Sequence, residues 1–158
     1  MKTQLKRVAS LVLCACLLAS VFAVVAFAED TATISFADKA NRTSLSTQQQ
    51  VWQQNGITVT NNKGSSTSNV ADYAAPARFY KGSEVIVEYT GMTKLVIDCT
   101  GCDNKHVTPW VDSCTDANAT ASINGKIVTI VFAEAVDSFS LTTTAQVRAA
   151  SMTVYTSS

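Results

Sequence analysis

The sequence predicts an all-β fold: a jelly-roll-like β-sandwich of two sheets and about eight or nine strands, with one short helix near 109–114. Three observations carry this. After residue 28 the chain is rich in Thr, Val, Ile, Ser and Tyr, and its leucines are Leu45, Leu95 and Leu141 alone. β-Branched side chains suit a pleated, half-buried surface better than a helix. Short runs alternate apolar and polar side chains with period two, and turn-forming residues separate them at short spacing, the pattern of sandwiches and barrels.

Residues 1–28 stand apart as a secretory signal. Lys2, Lys6 and Arg7 precede an apolar run from Val8 to Phe27, which closes on Ala26-Phe27-Ala28 and then Glu29-Asp30. Such a run, roughly 20 residues, is also long enough to span a bilayer, and Cys14 and Cys16 raise lipidation as a third reading. Small residues at the -3 and -1 positions followed at once by acids favour cleavage between Ala28 and Glu29. The expected product is one secreted domain, 29–158, with no membrane segment. It carries nine Lys/Arg and twelve Asp/Glu, a formal charge of −3. That is no basic footprint, so nucleic acid is not expected as a partner.

The strands follow in order. Thr33 to Phe36 is the first alternating run. Ile57 to Thr60 follows an Asn55-Gly56 turn signal, and Ala77 to Tyr80 comes next. Glu84 to Tyr89 and Lys94 to Asp98 are separate runs. Thr120 to Ile123 and Lys126 to Phe132 flank Asn124-Gly125, which suits a type I′ hairpin turn. Asp137 to Thr142 and Gln146 to Tyr155 complete the set. Ser46 to Gln49 resembles a capping box, yet extended structure is preferred there. Thr108 as N-cap and Pro109 at N1 predict the short helix. Asn61 to Asp72 is polar, with Val70 its one branched aliphatic residue, and reads as a long surface loop where binding can reside.

Three stretches together resemble a β-sandwich module of secreted bacterial proteins: Val51-Trp52-Gln53-Gln54-Asn55-Gly56-Ile57-Thr58-Val59-Thr60-Asn61, then Gly64 to Tyr73, then Pro76-Ala77-Arg78-Phe79-Tyr80-Lys81-Gly82-Ser83. Gln146-Val147-Arg148 to Thr153-Val154-Tyr155 fits the same pattern. The resemblance covers most of residues 31–156. It implies an accessory, non-catalytic unit of the kind joined to extracellular hydrolases, nucleases or adhesin-like chains. The sequence departs from that pattern in standing alone and in its additional cysteines between Cys99 and Cys114.

Chemistry is sparse. His106 is the chain's single histidine, and no Gly-x-Ser-x-Gly elbow, facing carboxylate pair or phosphate-cradling loop is present. No enzyme activity and no cofactor are therefore expected. In an oxidising compartment Cys99, Cys102 and Cys114 favour a disulfide, with Cys102 to Cys114 the preferred pair. With His106 they also carry four ligand types suited to zinc, a sharper but less favoured reading. Asp38 and Asp137 are conceivable calcium ligands but read better as turn residues, so no metal is expected. The positive expectation is a binding module for an extracellular glycan. Sugar faces stack on aromatic rings while polar neighbours take the hydroxyls, and the candidates are Trp52, Asn61, Lys63, Asn69, Tyr73, Arg78, Tyr80 and Trp110. The alternative is a structural or adhesive surface protein that binds another protein.

Overall fold

The computed structural model describes residues 29–157. The leader and its cleavage between Ala28 and Glu29 lie outside the described residues on the Ala28 side. The fold is all-β. Among the described residues ten strands run as β1 (Glu29–Ser35), β2 (Arg42–Leu45), β3 (Gln49–Gln54), β4 (Ile57–Asn62), β5 (Ala77–Phe79), β6 (Glu84–Asp98), β7 (Ala119–Asn124), β8 (Ile127–Thr142), β9 (Val147–Ala149) and β10 (Ser151–Ser157). Among the described residues one short α-helix, α1 (Thr108–Asp112), lies between β6 and β7. Eight strands form one sheet, and β5 with β9 forms a second, two-stranded sheet.

The two longest strands organise the rest. β6 and β8 pair antiparallel from Glu84↔Thr142 to Asp98↔Ile127. Sequence reading divides each into two runs, because Tyr89-Thr90-Gly91 and the stretch after Phe132 break the alternation. The chain instead continues through an irregularity between Glu88 and Lys94. Gly91 adopts φ +71° there, and its N–H donates to Asp137 Oδ1 at 2.8 Å. A bulge of this kind adds residues on one strand and sharpens the local twist. On its far side β6 changes partner: Glu84–Glu88 pairs with β4, and Met92–Asp98 pairs with β10. One sheet thus splits into two branches, β4-β3-β2 and β10-β1.

The branches curl onto each other. Gln54 Oε1 accepts from the Ser35 N–H at 2.8 Å, and Asn55 Nδ2 donates to the Thr33 carbonyl at 2.9 Å. Between them lie the fully buried side chains of Ile34, Phe36, Trp52, Ile57, Leu95, Ile130 and Met152. The rings meet edge to face, Trp52 on Phe36 at 5.3 Å, Phe36 on Phe79 at 6.2 Å and Phe79 on Trp110 at 5.5 Å. This is the favoured geometry for aromatic pairs.

Two hairpins show how turn chemistry sets register. Gln54 pairs with Ile57, and the two-residue loop between them, Asn55-Gly56, has φ +52° and +81°, as a type I′ turn demands. The later hairpin differs from expectation. Asn124 is itself paired with Ile127, so the loop is Gly125-Lys126, and only Gly125 has positive φ, +60°. Glycine at the first loop position is the type II′ pattern.

The remaining sequence expectations divide. Ser46 Oγ accepts from the Gln48 and Gln49 N–H groups, but no helix follows: Ser46–Gln48 is the turn between β2 and β3, and the chain is extended from Gln49 onward. α1 begins at Thr108 with Pro109 in its first turn, but Val107 rather than Thr108 is the N-cap residue. The run from Gln146 to Tyr155 is two strands in two sheets, β9 and β10. Asp38 is a turn residue, accepting from the Ala40 N–H, but Asp137 is not: it lies within β8, where its carboxylate takes the Gly91 N–H of β6.

The polar segment after β4 is anchored at two points. Val70 is buried and its N–H donates to the Thr47 carbonyl at 3.0 Å. Gly64, at φ +54°, sits against Gly82, whose carbonyl takes the Ser65 N–H at 2.9 Å. A Cβ on Gly64 would fall 2.6 Å from that carbonyl oxygen, whereas one on Gly101, also at positive φ, would meet nothing within 4 Å. Gly64→Ala is therefore expected to cost about 2–3 kcal/mol and Gly101→Ala about 1 kcal/mol, since both carry backbone strain but only the first adds a clash. Urea unfolding of the two variants measures the difference.

Candidate functional site

The small sheet is a plate laid on the core. Ala77, Phe79, Val147 and Ala149 are fully buried beneath it. Strand alternation then turns the intervening residues, Arg78 and Arg148, outward. They are direct cross-strand partners. The backbone carbonyl of each points away from the other strand: Asn61 Nδ2 donates to Arg78 O at 3.3 Å, and Trp110 Nε1 donates to Arg148 O at 3.0 Å. Carbonyls facing away from the partner mark the non-hydrogen-bonded type of pair, in which Cα atoms approach to about 4.5 Å and side chains lie closest.

Each strand of the plate is tied down. β9 is held by the segment carrying α1: His106 Nδ1 lies 3.2 Å from the Gln146 carbonyl, and Ser113 Oγ accepts from the Thr144 N–H at 3.0 Å. Beyond β5, Thr143 Oγ1 donates to the Tyr80 carbonyl.

Around the arginines three partly exposed groups gather. The Arg78 guanidinium lies over the Tyr73 ring, 3.7 Å from its centroid. The Gln146 amide, oriented with its oxygen toward Arg148, accepts from Nε at 2.9 Å and Nη2 at 3.2 Å. Burial pushes the Tyr80 phenol above its ordinary pKa, the Tyr73 phenol beside it adds to the rise, and Arg78 and Arg148 oppose it. That set of neighbours puts Tyr73, Arg78, Tyr80 and Arg148 in one patch. Among the described residues neither arginine pairs with a carboxylate; the ion pairs are Lys39 and Arg42 with Asp72, Lys94 with Glu29, and Lys105 with Asp103. Arg78 Nε is buried without a protein partner.

Of the eight binding residues expected from sequence, three stand in this patch: Tyr73, Arg78 and Tyr80. Three others require correction as exposed contacts. Trp52 is 0 % exposed, Trp110 1 % and Asn61 1 %. A chain poor in leucine fills its interior with large rings, which explains the tryptophans. Asn61 and Trp110 nevertheless serve the patch from beneath, through the backbone of the two arginines. Lys63 and Asn69 lie on the loop and bond each other, Nζ to Oδ1 at 3.0 Å. Sequence reading misses Gln146 and Arg148 as site residues. The cross-strand register that sets Arg148 opposite Arg78 has no local signature.

The expected Cys102–Cys114 disulfide is also corrected. Cys99, Cys102 and Cys114 are all unpaired. The connector separates their surroundings: Cys102 lies near Arg148 and Lys126, whereas the charged neighbour of Cys114 is Asp116. Among the described residues no three His, Cys, Asp or Glu side chains converge as a metal site, and His106 is engaged with Gln146. A groove of about 540 Å³ elsewhere on the surface, lined by Asp30, Gly56, Tyr89, Gly91, Ala135 and Thr156 among others, contains none of the expected binding residues.

No family model, curated protein or solved structure matches this chain.

Burial pushes the Cys99 thiol up to about 12 and raises Cys102 and Cys114 by less. The thiolate is the reactive form, so at pH 8 iodoacetamide is expected to modify partly exposed Cys114 first and buried Cys99 last. After denaturation without reductant, peptide mass mapping should find all three alkylated. A Cys102–Cys114 cross-linked peptide would contradict the structure.

Proposed function

We propose that this chain is a non-catalytic binding module for an extracellular glycan, with its site on the outer face of β5 and β9. In this reading the curled sheet and the plate laid on it act as a jelly-roll-like β-sandwich scaffold. The observation that carries the proposal is the Arg78 guanidinium stacked on Tyr73 at 3.7 Å beside Tyr80. A planar cation on a phenol ring makes a ledge that is flat, half apolar and rich in donors. Sugars present the complement, an apolar C–H face ringed by hydroxyls. The plate beneath is rigidly backed by Phe79 and Val147, so little ordering accompanies binding.

Other support is indirect. The leader read in residues 1–28 fits an extracellular setting, and the resemblance to secreted bacterial accessory modules fits a unit without its own chemistry. His106, on which any Ser-His-Asp arrangement would depend, is buried and engaged with the Gln146 carbonyl.

A second reading, a structural or adhesive surface protein, draws on the outer edge of β8. β7 covers β8 only as far as Phe132, and among the described residues the stretch from Ala135 to Thr142 pairs with β6 alone. An edge of that length is a template for strand addition by a partner protein.

A glycan array followed by calorimetry tests the first reading. Stacking worth about 1.4 kcal/mol corresponds to about tenfold in Kd. Tyr73→Ala and Tyr80→Ala are each expected to weaken glycan binding by about that factor, with the melting temperature little changed. Absence of glycan binding, together with a co-purifying protein released by a proline placed at Ser138, would favour the second reading.

A further inference from the structure

Resting on the glycan reading, we infer that the ligand is an anionic glycan, one whose carboxylate or sulfate group is clamped between Arg78 and Arg148. The two arginines occupy the close, non-hydrogen-bonded position of the β5–β9 ladder. Like charges placed directly opposite destabilise a sheet. Both side chains point away from the core, where their guanidinium groups meet the Tyr73 ring and the Gln146 amide, neither of which carries a charge to offset theirs. An uncharged pair would let the plate sit equally well on Phe79 and Val147. Among the described residues no carboxylate relieves the repulsion.

The donors are arranged for an oxyanion. Guanidinium groups present planar forks that match carboxylate and sulfate oxygens. Gln146 takes one edge of Arg148, Nε and Nη2, and so orients the fork. The Tyr73 ring supports one face of Arg78. Each guanidinium is thus positioned through one edge or one face, and its remaining N–H groups stay available. Arg78 Nε, buried and without a protein partner, is a donor the protein itself leaves unused. An oxyanion entering between the arginines would supply acceptors and cancel their repulsion, while the sugar ring that bears it rests on the tyrosines.

The test compares three oligosaccharides of equal length by calorimetry: an oligogalacturonate, a κ-carrageenan fragment whose anion is sulfate, and an uncharged galactan. At least one anionic ligand is expected to bind about tenfold or more tighter than the galactan, and the arm that does so distinguishes carboxylate from sulfate. That binding should weaken as NaCl is raised. Arg78→Gln and Arg148→Gln should each lower it by about tenfold. Arg148→Lys, which keeps the charge but loses the fork, should fall between. Lys94→Gln, at a remote cation, should leave it unchanged, and thermal melts of every variant confirm folding. If the galactan binds as tightly as the anionic sugars, or Arg78→Gln and Arg148→Gln bind like the parent, the inference is overturned while the glycan reading stands. If no glycan binds at all, both fall.

Discussion

The antiparallel pairing of β6 with β8 is the constraint on which the remaining structure depends. It runs the length of both strands, and the irregularity around Gly91 divides it into two halves. One half of β6 recruits β4 and the other recruits β10, and that division closes the sheet on itself. With the branches facing each other, the aromatic series Trp52, Phe36, Phe79 and Trp110 finds a common interior. Phe79 is both a member of that series and the anchor of the small plate. Packing, topology and the placement of the outward arginines are therefore one problem with one solution.

The candidate site follows from alternation in strands of only three residues. Once Ala77 and Phe79 face the core, Arg78 cannot. The same holds for Arg148 between Val147 and Ala149. Hydrogen bonds from Asn61 and Trp110 to the arginine carbonyls leave those carbonyls no part in the ladder between β5 and β9. Buried polar atoms that hold a backbone in place commit it to one register, since leaving them unmade is costly. Two strands too short to be stable by themselves are in this way made a dependable platform.

Much of the fold was legible in the sequence, and the site only partly. Period-two alternation and the scarcity of leucine pointed to strands, and Thr108-Pro109 pointed to α1. The lengths of β6 and β8 were hidden, because a bulge at Gly91 looks locally like a turn and only the opposite strand reveals that pairing resumes. β9 and β10 read as one strand because each half alternates, but the phase shifts at Ala150-Ser151, with Val147 and Ala149 buried before it and Met152 and Val154 after it, and the change of sheet there is a tertiary event. β2 went unseen because its residues are exposed or only partly buried and carry no alternation. In the site, residue type picked out Tyr73, Arg78 and Tyr80, which the structure leaves partly exposed in one patch. It misassigned Trp52 and Trp110, since ring size argues equally for a platform and for a core, and burial alone decides. The cysteines misled for a related reason: three thiols close in sequence suggest a bridge, but the connector leaves Cys102 near Arg148 and Lys126 and Cys114 near Asp116.

The register of β1 on β10 has a mechanical meaning. Glu29 lies opposite Ser157, and Ser35 opposite Ser151, the residue that follows the plate after Ala150. The two described ends of the chain thus emerge side by side, about 20 Å, six residues of strand, from the end of β10 that adjoins the plate. A load applied between those ends would peel β1 from β10 one rung at a time, whereas a load between the plate and Glu29 would pull along the strands and strain many rungs together. A molecule held through the plate and tethered near Glu29 would be loaded in its stronger direction.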